Sequence, residues 1–361
     1  MTTAKLLLVG IGYWGRNWAK TLEQLGALGG ICDLSLVPGQ PVYESVKKQF
    51  PGVELYNRLE PALAEHRISG VVIATPVPTH YQVARHCLLA NKHVLVEKPL
   101  TLNPKDAMQL VSLAEERNRV LAVGHVLMHH AGLLKLKSLV DSGELGDILS
   151  VACTRVNLGK IRNEENVWWS LAPHDISIIS LLLGEPLRVD AVHAESLLGR
   201  DRLEDTVIAS MSTPSGKRAS VHVSWLAPYK KHETVVIGTK AMAVFDDAQP
   251  QERKLRVVPY DMVQVKDWVD SVERGEVASV DYAVPDQPLT AEAKAFIAAI
   301  ETGRPLLNDG ANGVLVVDVL DTVQRQLNVH GQQLADEDAV IGKTMTVTNT
   351  PRLQPTSVPF S

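Results

Sequence analysis

Over the first part of the chain, short apolar runs alternate with segments whose apolar positions recur at spacings of three and four. That alternation predicts a parallel sheet with crossover helices. Leu6 to Val9, Gly30 to Cys32, Val71 to Ala74, His93 to Val96 and Val120 to Val123 read as strands, and Asn17 to Leu25, Tyr81 to Ala90 and Pro104 to Arg117 as helices that lay one face on them. After Gly124 the pattern changes. A helix over Leu133 to Val140 is stopped by Ser142-Gly143, Ile148 to Val156 reads as a strand, and a further helix is predicted to start at Pro173 and run to Leu183. Turn-punctuated runs follow, among them Val207 to Met211, Ser220 to Trp225 and Thr234 to Ile237, so the second unit is expected to be a helix-covered, mostly antiparallel sheet. Gln249 to Gln287 is charged and poorly periodic, Thr290 to Glu301 and Gly313 to Leu327 read as helices, and Thr348 to Ser361 as an extended tail. The expected fold class is α/β, with units over residues 1–124 and 125–345 and a tail over 346–361.

Length agrees with this division, since 361 residues at roughly 150 per domain make about two domains. A net charge of -5 gives no reason to expect nucleic acid or an anionic membrane as partner, so any anionic ligand must be held locally. Cys32, Cys87 and Cys153 are widely spaced and odd in number, which suggests neither a disulfide framework nor a thiolate metal site. The N-terminus passes from Lys5 straight into a strand-like run, and no apolar stretch approaches the roughly 20 residues of a bilayer span. A soluble cytoplasmic protein is the expectation.

Gly10-Ile11-Gly12-Tyr13-Trp14-Gly15 follows the first strand and opens a helix, and Asp33 ends the second strand. A glycine pattern alone is weak evidence; in this context it predicts a dinucleotide site. Gly10 permits the tight turn, Gly12 the approach of a pyrophosphate, and Gly15 close helix packing. Asp33 suits both ribose hydroxyls and repels a 2'-phosphate, which favours NAD over NADP. At the same edge of the sheet, Ala74-Thr75-Pro76 and Glu97-Lys98-Pro99 close two more strands, and carboxyl ends of parallel strands are where such sheets bind ligand. Lys98 is therefore placed to stabilise a developing alkoxide.

These segments, with Ala74-Thr75-Pro76-Val77-Pro78-Thr79-His80, Lys92 to Leu100 and the late Glu292 to Ile297 and Gly303-Arg304-Pro305, resemble the glucose-fructose oxidoreductase / inositol dehydrogenase / rhizopine catabolism family of NAD(P)-dependent sugar oxidoreductases. The resemblance implies a Rossmann domain followed by an α/β domain whose open sheet binds substrate on one face and commonly makes the subunit contact, in a homodimer or homotetramer, on the other. It adds Tyr13, Trp14, Thr75, Pro76, His80, Glu97 and His125 to the cofactor site. It also implies a proton-handling histidine on a helix of the second domain, which here is His174; Ser170 stands where the family usually has an aspartate. Lys98 and His174 are left as the catalytic pair.

The stretch Arg155 to Trp169 looks like the branch acting on nucleotide-activated amino sugars, which oxidises a sugar 3-hydroxyl to a ketone that a pyridoxal-phosphate-dependent aminotransferase then consumes. Guanidinium forks suit a diphosphate, so Arg155, Lys160 and Arg162 are candidates for it, with Asn157, Asn163, Trp169 and Asp175 for the sugar. The expected substrate is a UDP-N-acetylhexosamine, UDP-N-acetylglucosamine first; a UDP-aminouronic acid, a polyol and a non-catalytic NAD or sugar sensor are the alternatives. The i, i+4 pair His125 and His129 has a spacing that can hold zinc, but no third ligand stands out and no metal is expected. Lys230-Lys231-His232 reads as a solvated mixed-charge loop.

Overall fold

The computed structural model describes residues 4–159, 161–162, 164–199, 203–265 and 268–345; side chains are described except over 262–270 and 330–345. The chain runs β1 (Lys5–Val9), α1 (Tyr13–Gln24), β2 (Leu28–Cys32), α2 (Pro41–Gln49), β3 (Leu55–Tyr56), α3 (Leu59–Leu63), β4 (Ile68–Ile73), α4 (His80–Leu89), β5 (His93–Glu97), α5 (Pro104–Glu116) and β6 (Leu121–Gly124). These six strands form one parallel sheet in the order β3-β2-β1-β4-β5-β6. The order reverses direction at β1, so a crevice opens beyond the carboxyl ends of β1 and β4. Strands β1, β4 and β5 are almost wholly buried because helices cover both faces, which is why they read as continuous apolar runs.

The second sheet follows α6 (Ala131–Asp141). It contains β7 (Ile148–Leu158), then, after α7 (Val167–Leu183), β8 (Arg188–Glu195), β9 (Thr206–Ser212), β10 (Arg218–Ser224), β11 (Leu226–Gly238), β12 (Ala241–Asp246), β13 (Leu255–Val265), β14 (Trp268–Arg274) and β15 (Ala278–Ser279). Its path is β14-β13-β12-β11-β7-β10-β9-β8, with β15 beside β13, and only the β7–β10 pair is parallel. The expected mostly antiparallel sheet is thus present. The poorly periodic stretch from Gln249 holds β13, β14 and β15, whose sequence does not show a regular apolar alternation.

Helix α7 corrects one expectation. It starts at Val167, not at Pro173, because the Asn166 side chain accepts a hydrogen bond from the Trp169 N–H (3.1 Å) and caps the N-terminus. Pro173 lies inside the helix, where it has no N–H to give the Trp169 carbonyl. Gly184, with φ 64°, ends it in the left-handed region. The helix is buried on nearly all sides, between β7 and β10 and the long α9 (Gly310–Met345).

The last helices tie the sheets together. Ala293 and Phe296 of α8 (Pro288–Thr302) are buried among Leu6, Trp18 and Leu22 of the first sheet's layer, although they follow the second sheet in sequence. On α9, Val317 belongs to the core over β4 and β5, while Val316, Leu320 and Val323 pack with α7. Each of the larger of these side chains, Phe296, Val316, Val317, Leu320 and Val323, contributes roughly 1.5–3 kcal/mol of burial. The expected tail over 346–361 lies outside the described residues.

Candidate active site

The glycine turn follows from close backbone approach. Gly10 has φ 96°, and a Cβ there would lie 2.6 Å from the Ala74 carbonyl oxygen; at Gly15 it would lie 2.1 Å from the Gly10 carbonyl oxygen. Gly15 therefore lets α1 close on its own turn, a tighter contact than the helix–strand packing expected. At Gly12 a Cβ would meet nothing within 4 Å. That open space, at a helix N-terminus whose first-turn N–H groups have no side-chain cap and no acidic neighbour, fits a pyrophosphate. Asp33 accepts from the Ile11 N–H (2.9 Å) and from the Ser35 N–H and hydroxyl (2.9 and 2.6 Å). Burial works to raise its pKa, but the hydrogen bonds from Ser35 and Ile11 prevail and lower it, so the carboxylate is ionised. An anion at this strand end, with no Lys or Arg in the stretch to Val37, suits a ribose diol.

His80 clamps the ends of β4 and β5, its two ring nitrogens meeting the Thr75 and Pro99 carbonyls at 2.9 Å each. Thr75, Pro76, Tyr13 and Trp14 line the cavity mouth beside it. Glu97 is buried. It accepts from the indole N–H groups of Trp14 and Trp18, the latter at 2.7 Å, and from the Lys98 backbone N–H at 3.2 Å. Burial pushes its carboxyl up, against the pull of Trp18 and Lys98.

With Glu97 so occupied, the Lys98 ammonium reaches across to α7 and donates to the Ser170 carbonyl at 2.9 Å. His174 follows Ser170 by one helical turn. Lys98 and His174, distant in sequence, thereby open onto one cavity of about 1140 Å³ that begins at Tyr13 and Thr75. Burial lowers the Lys98 pKa, with Glu165 and Glu97 opposing. Burial also holds His174 well below the ordinary histidine value, reinforced by the Lys98 and Arg155 charges. Its Nδ1 is enclosed without a partner, and neither ring nitrogen has a hydrogen bond among the described residues. A neutral, unengaged imidazole beside an ammonium can accept a hydroxyl proton while the cation stabilises the oxygen left behind.

Several sequence-predicted residues stand elsewhere. Asp175 is 1% exposed and does not line the cavity; its carboxylate receives the Arg155 fork, Nε at 3.1 Å from both oxygens and Nη2 at 2.9 Å from one. Arg155 touches the cavity, but its charge is already matched by Asp175, so it is not the free diphosphate fork expected. His125 is fully buried behind the lining, its Nδ1 meeting Asn312 at 2.7 Å, because the chain turns into a 3-10 segment there. His129 meets Asn308 at 3.0 Å instead, so the i, i+4 pair diverges to separate partners. Asn157 is not among the lining residues. Arg162 and Trp169 do line the cavity, Arg162 held by Glu165 (2.9 Å) and the Trp169 indole N–H by Gln324 (3.0 Å). Lys160 and Asn163 fall outside the described residues.

The sequence reading missed Lys230 and His232, which also line the cavity. They look like solvated loop residues only while the strand is taken to begin at Thr234; β11 begins at Leu226 and carries both residues past the cavity.

Two family models match the chain: the oxidoreductase family with an NAD-binding Rossmann fold over residues 4–125, and the GFO/IDH/MocA C-terminal domain over residues 133–244. Among curated relatives, the UDP-N-acetylglucosamine 3-dehydrogenase of Acidithiobacillus ferrooxidans is 28% identical over 85% of this chain and 91% of that protein. Inositol 2-dehydrogenase 1 of Saccharopolyspora erythraea is 25% identical over 84% and 96%. A solved structure of the Acidithiobacillus ferrooxidans enzyme superposes with a TM-score of 0.75 at 25% identity, covering 90% of this chain and 97% of that one. With both matched segments in order on the two sheets, the chain belongs to the Gfo/Idh/MocA family of oxidoreductases and is an NAD-dependent sugar dehydrogenase.

Proposed function

We propose that the enzyme oxidises the C3 hydroxyl of a UDP-N-acetylhexosamine, UDP-N-acetylglucosamine first, to the 3-keto sugar, which an aminotransferase then consumes. The observation that carries this reading is the opening of Lys98 and His174 onto a cavity that Tyr13 and Trp14 of the glycine turn also line. The family resemblance of the Arg155 to Trp169 stretch supplies the sugar. Bound NAD supplies the hydride acceptor. The C3–H bond breaks with its electron pair leaving as hydride, the hydroxyl proton passes to a His174 ring nitrogen, and the C3–O bond becomes a carbonyl. Lys98 donates to the C3 oxygen as negative charge builds on it, most strongly in the transition state. Glu97 keeps Lys98 in place through its backbone N–H, and Trp14 and Trp18 keep Glu97. Subunits pair through the uncovered face of the second sheet, as a homodimer or homotetramer.

A uronate of the same nucleotide sugar is the second reading, favoured by Lys230, a further cation in the cavity. Substrate deuterated at C3 tests the assignment of the carbon. The expected outcome is deuterium transferred to the reduced nicotinamide with a rate below that of unlabelled substrate; unlabelled NADH from C3-deuterated sugar contradicts it.

A further inference from the structure

Beyond His174 the cavity wall continues on β11, where Thr234 and Val236 face the core and Lys231 pairs with Glu233 (2.7 Å) on the other face. His232 shares the parity of Thr234 and Val236, while Lys230 lies just before Lys231, where the β11–β7 register shifts; both line the cavity. The other cations lining this space are engaged. Lys98 is held by the Ser170 carbonyl, Arg155 by Asp175 and Arg162 by Glu165. Lys230 is exposed and forms no ion pair among the described residues. Next to it, His232 keeps an enclosed Nε2 with no hydrogen-bond partner, and burial lowers its pKa to about 4, with Arg155 and Lys230 adding to the shift. A buried polar nitrogen left without a partner is costly unless a ligand supplies one.

We propose that Lys230 and His232 form the anion-reading wall of the site, binding a negatively charged group of the sugar substrate, either its diphosphate or a carboxylate. Lys230 brings the charge, and His232 a directional ring N–H that a phosphate or carboxylate oxygen satisfies. This rests on the dehydrogenase reading above and adds to it the residues that tell a charged sugar from a neutral one.

Calorimetric titration of the NADH-bound protein, which cannot oxidise the sugar, with UDP-N-acetylglucosamine and with its 6-uronate tests the proposal without relying on turnover. Lys230→Gln and His232→Phe are each expected to weaken binding of at least one of these ligands by about tenfold, the magnitude of a lost charge-assisted hydrogen bond. Lys231→Gln, on the other face, is expected to bind both as the native protein does. Equal losses for the two ligands place the diphosphate at the wall; a loss confined to the uronate places the carboxylate there. The proposal is overturned if either cavity-side variant binds both ligands with native affinity, or if the native protein binds neither. Intact binding and intact variant effects, with no oxidation at C3, would remove the C3 assignment and leave the wall standing.

Discussion

As the proposed base, His174 would make the chemistry depend on a proton at a definable pH. Burial and neighbouring cations depress its pKa far below the ordinary value of 6.5, so the ring stays neutral and able to accept a proton as the solution is acidified. For a base that must be unprotonated, activity is present above its pKa and lost as pH falls through it. The acidic limb of kcat/KM is therefore expected well below pH 6.5, and a pH profile of NADH formation checks it; a limb at or above 6.5 shows that another group, or an undepressed histidine, carries the proton. That Lys98 lies at the cavity was legible from its place on a strand end beside a motif, and that His174 does from the family pattern; their roles stay proposals. The partners of Arg155 and Asp175 were not legible. Nothing in the residue types tells whether an arginine waits for phosphate or has already found a buried carboxylate on the helix packed against its strand.

The strand-turn-helix unit from β1 to α1 separates two uses of glycine. At Gly15 an added methyl collides with the Gly10 carbonyl oxygen, whereas at Gly12 it enters open space. Gly15→Ala is expected to destabilise the fold by about 1–3 kcal/mol as the turn is forced apart, and to lose NAD binding with it. Gly12→Ala is expected to leave stability within about 1 kcal/mol while weakening NAD at least about tenfold, since the methyl fills the place of the pyrophosphate. Denaturant unfolding and NAD titration of both variants check the pair; native NAD affinity in Gly12→Ala means the pyrophosphate lies elsewhere. The apolar runs made this unit readable. Helix α7 and strand β11 were shortened by sequence rules for a physical reason: Pro173 resembles a helix start although Asn166 supplies the cap, and the charged Lys230 to Glu233 stretch hides a strand that borders a cavity.

Across the whole molecule, two sheets meet along a cavity and α8 and α9 fasten them. The sheet order that creates the crevice was anticipated in kind by alternating strands and helices, but the return of α8 to the first sheet is a tertiary fact that periodicity does not carry. The face of the second sheet away from α7 leaves Ile208 40% exposed and Val235, Ile237, Met242 and Val244 half-buried, an apolar surface suited to a second subunit. Light scattering is expected to give two or four times the monomer mass, and Ile208→Asp with Val244→Asp to yield monomer; a monomeric native protein contradicts the proposed pairing.

The central claim is that the Lys98 ammonium and the His174 imidazole act on one alcohol at the nicotinamide end of this cavity. It is tested most directly by following NADH formation from UDP-N-acetylglucosamine in Lys98→Ala and His174→Ala, with NAD affinity measured on the same samples. Turnover is expected to fall by roughly two orders of magnitude or more in each variant while NAD affinity changes little, because neither side chain grips the adenosine half. Near-native rates in both variants would contradict the account.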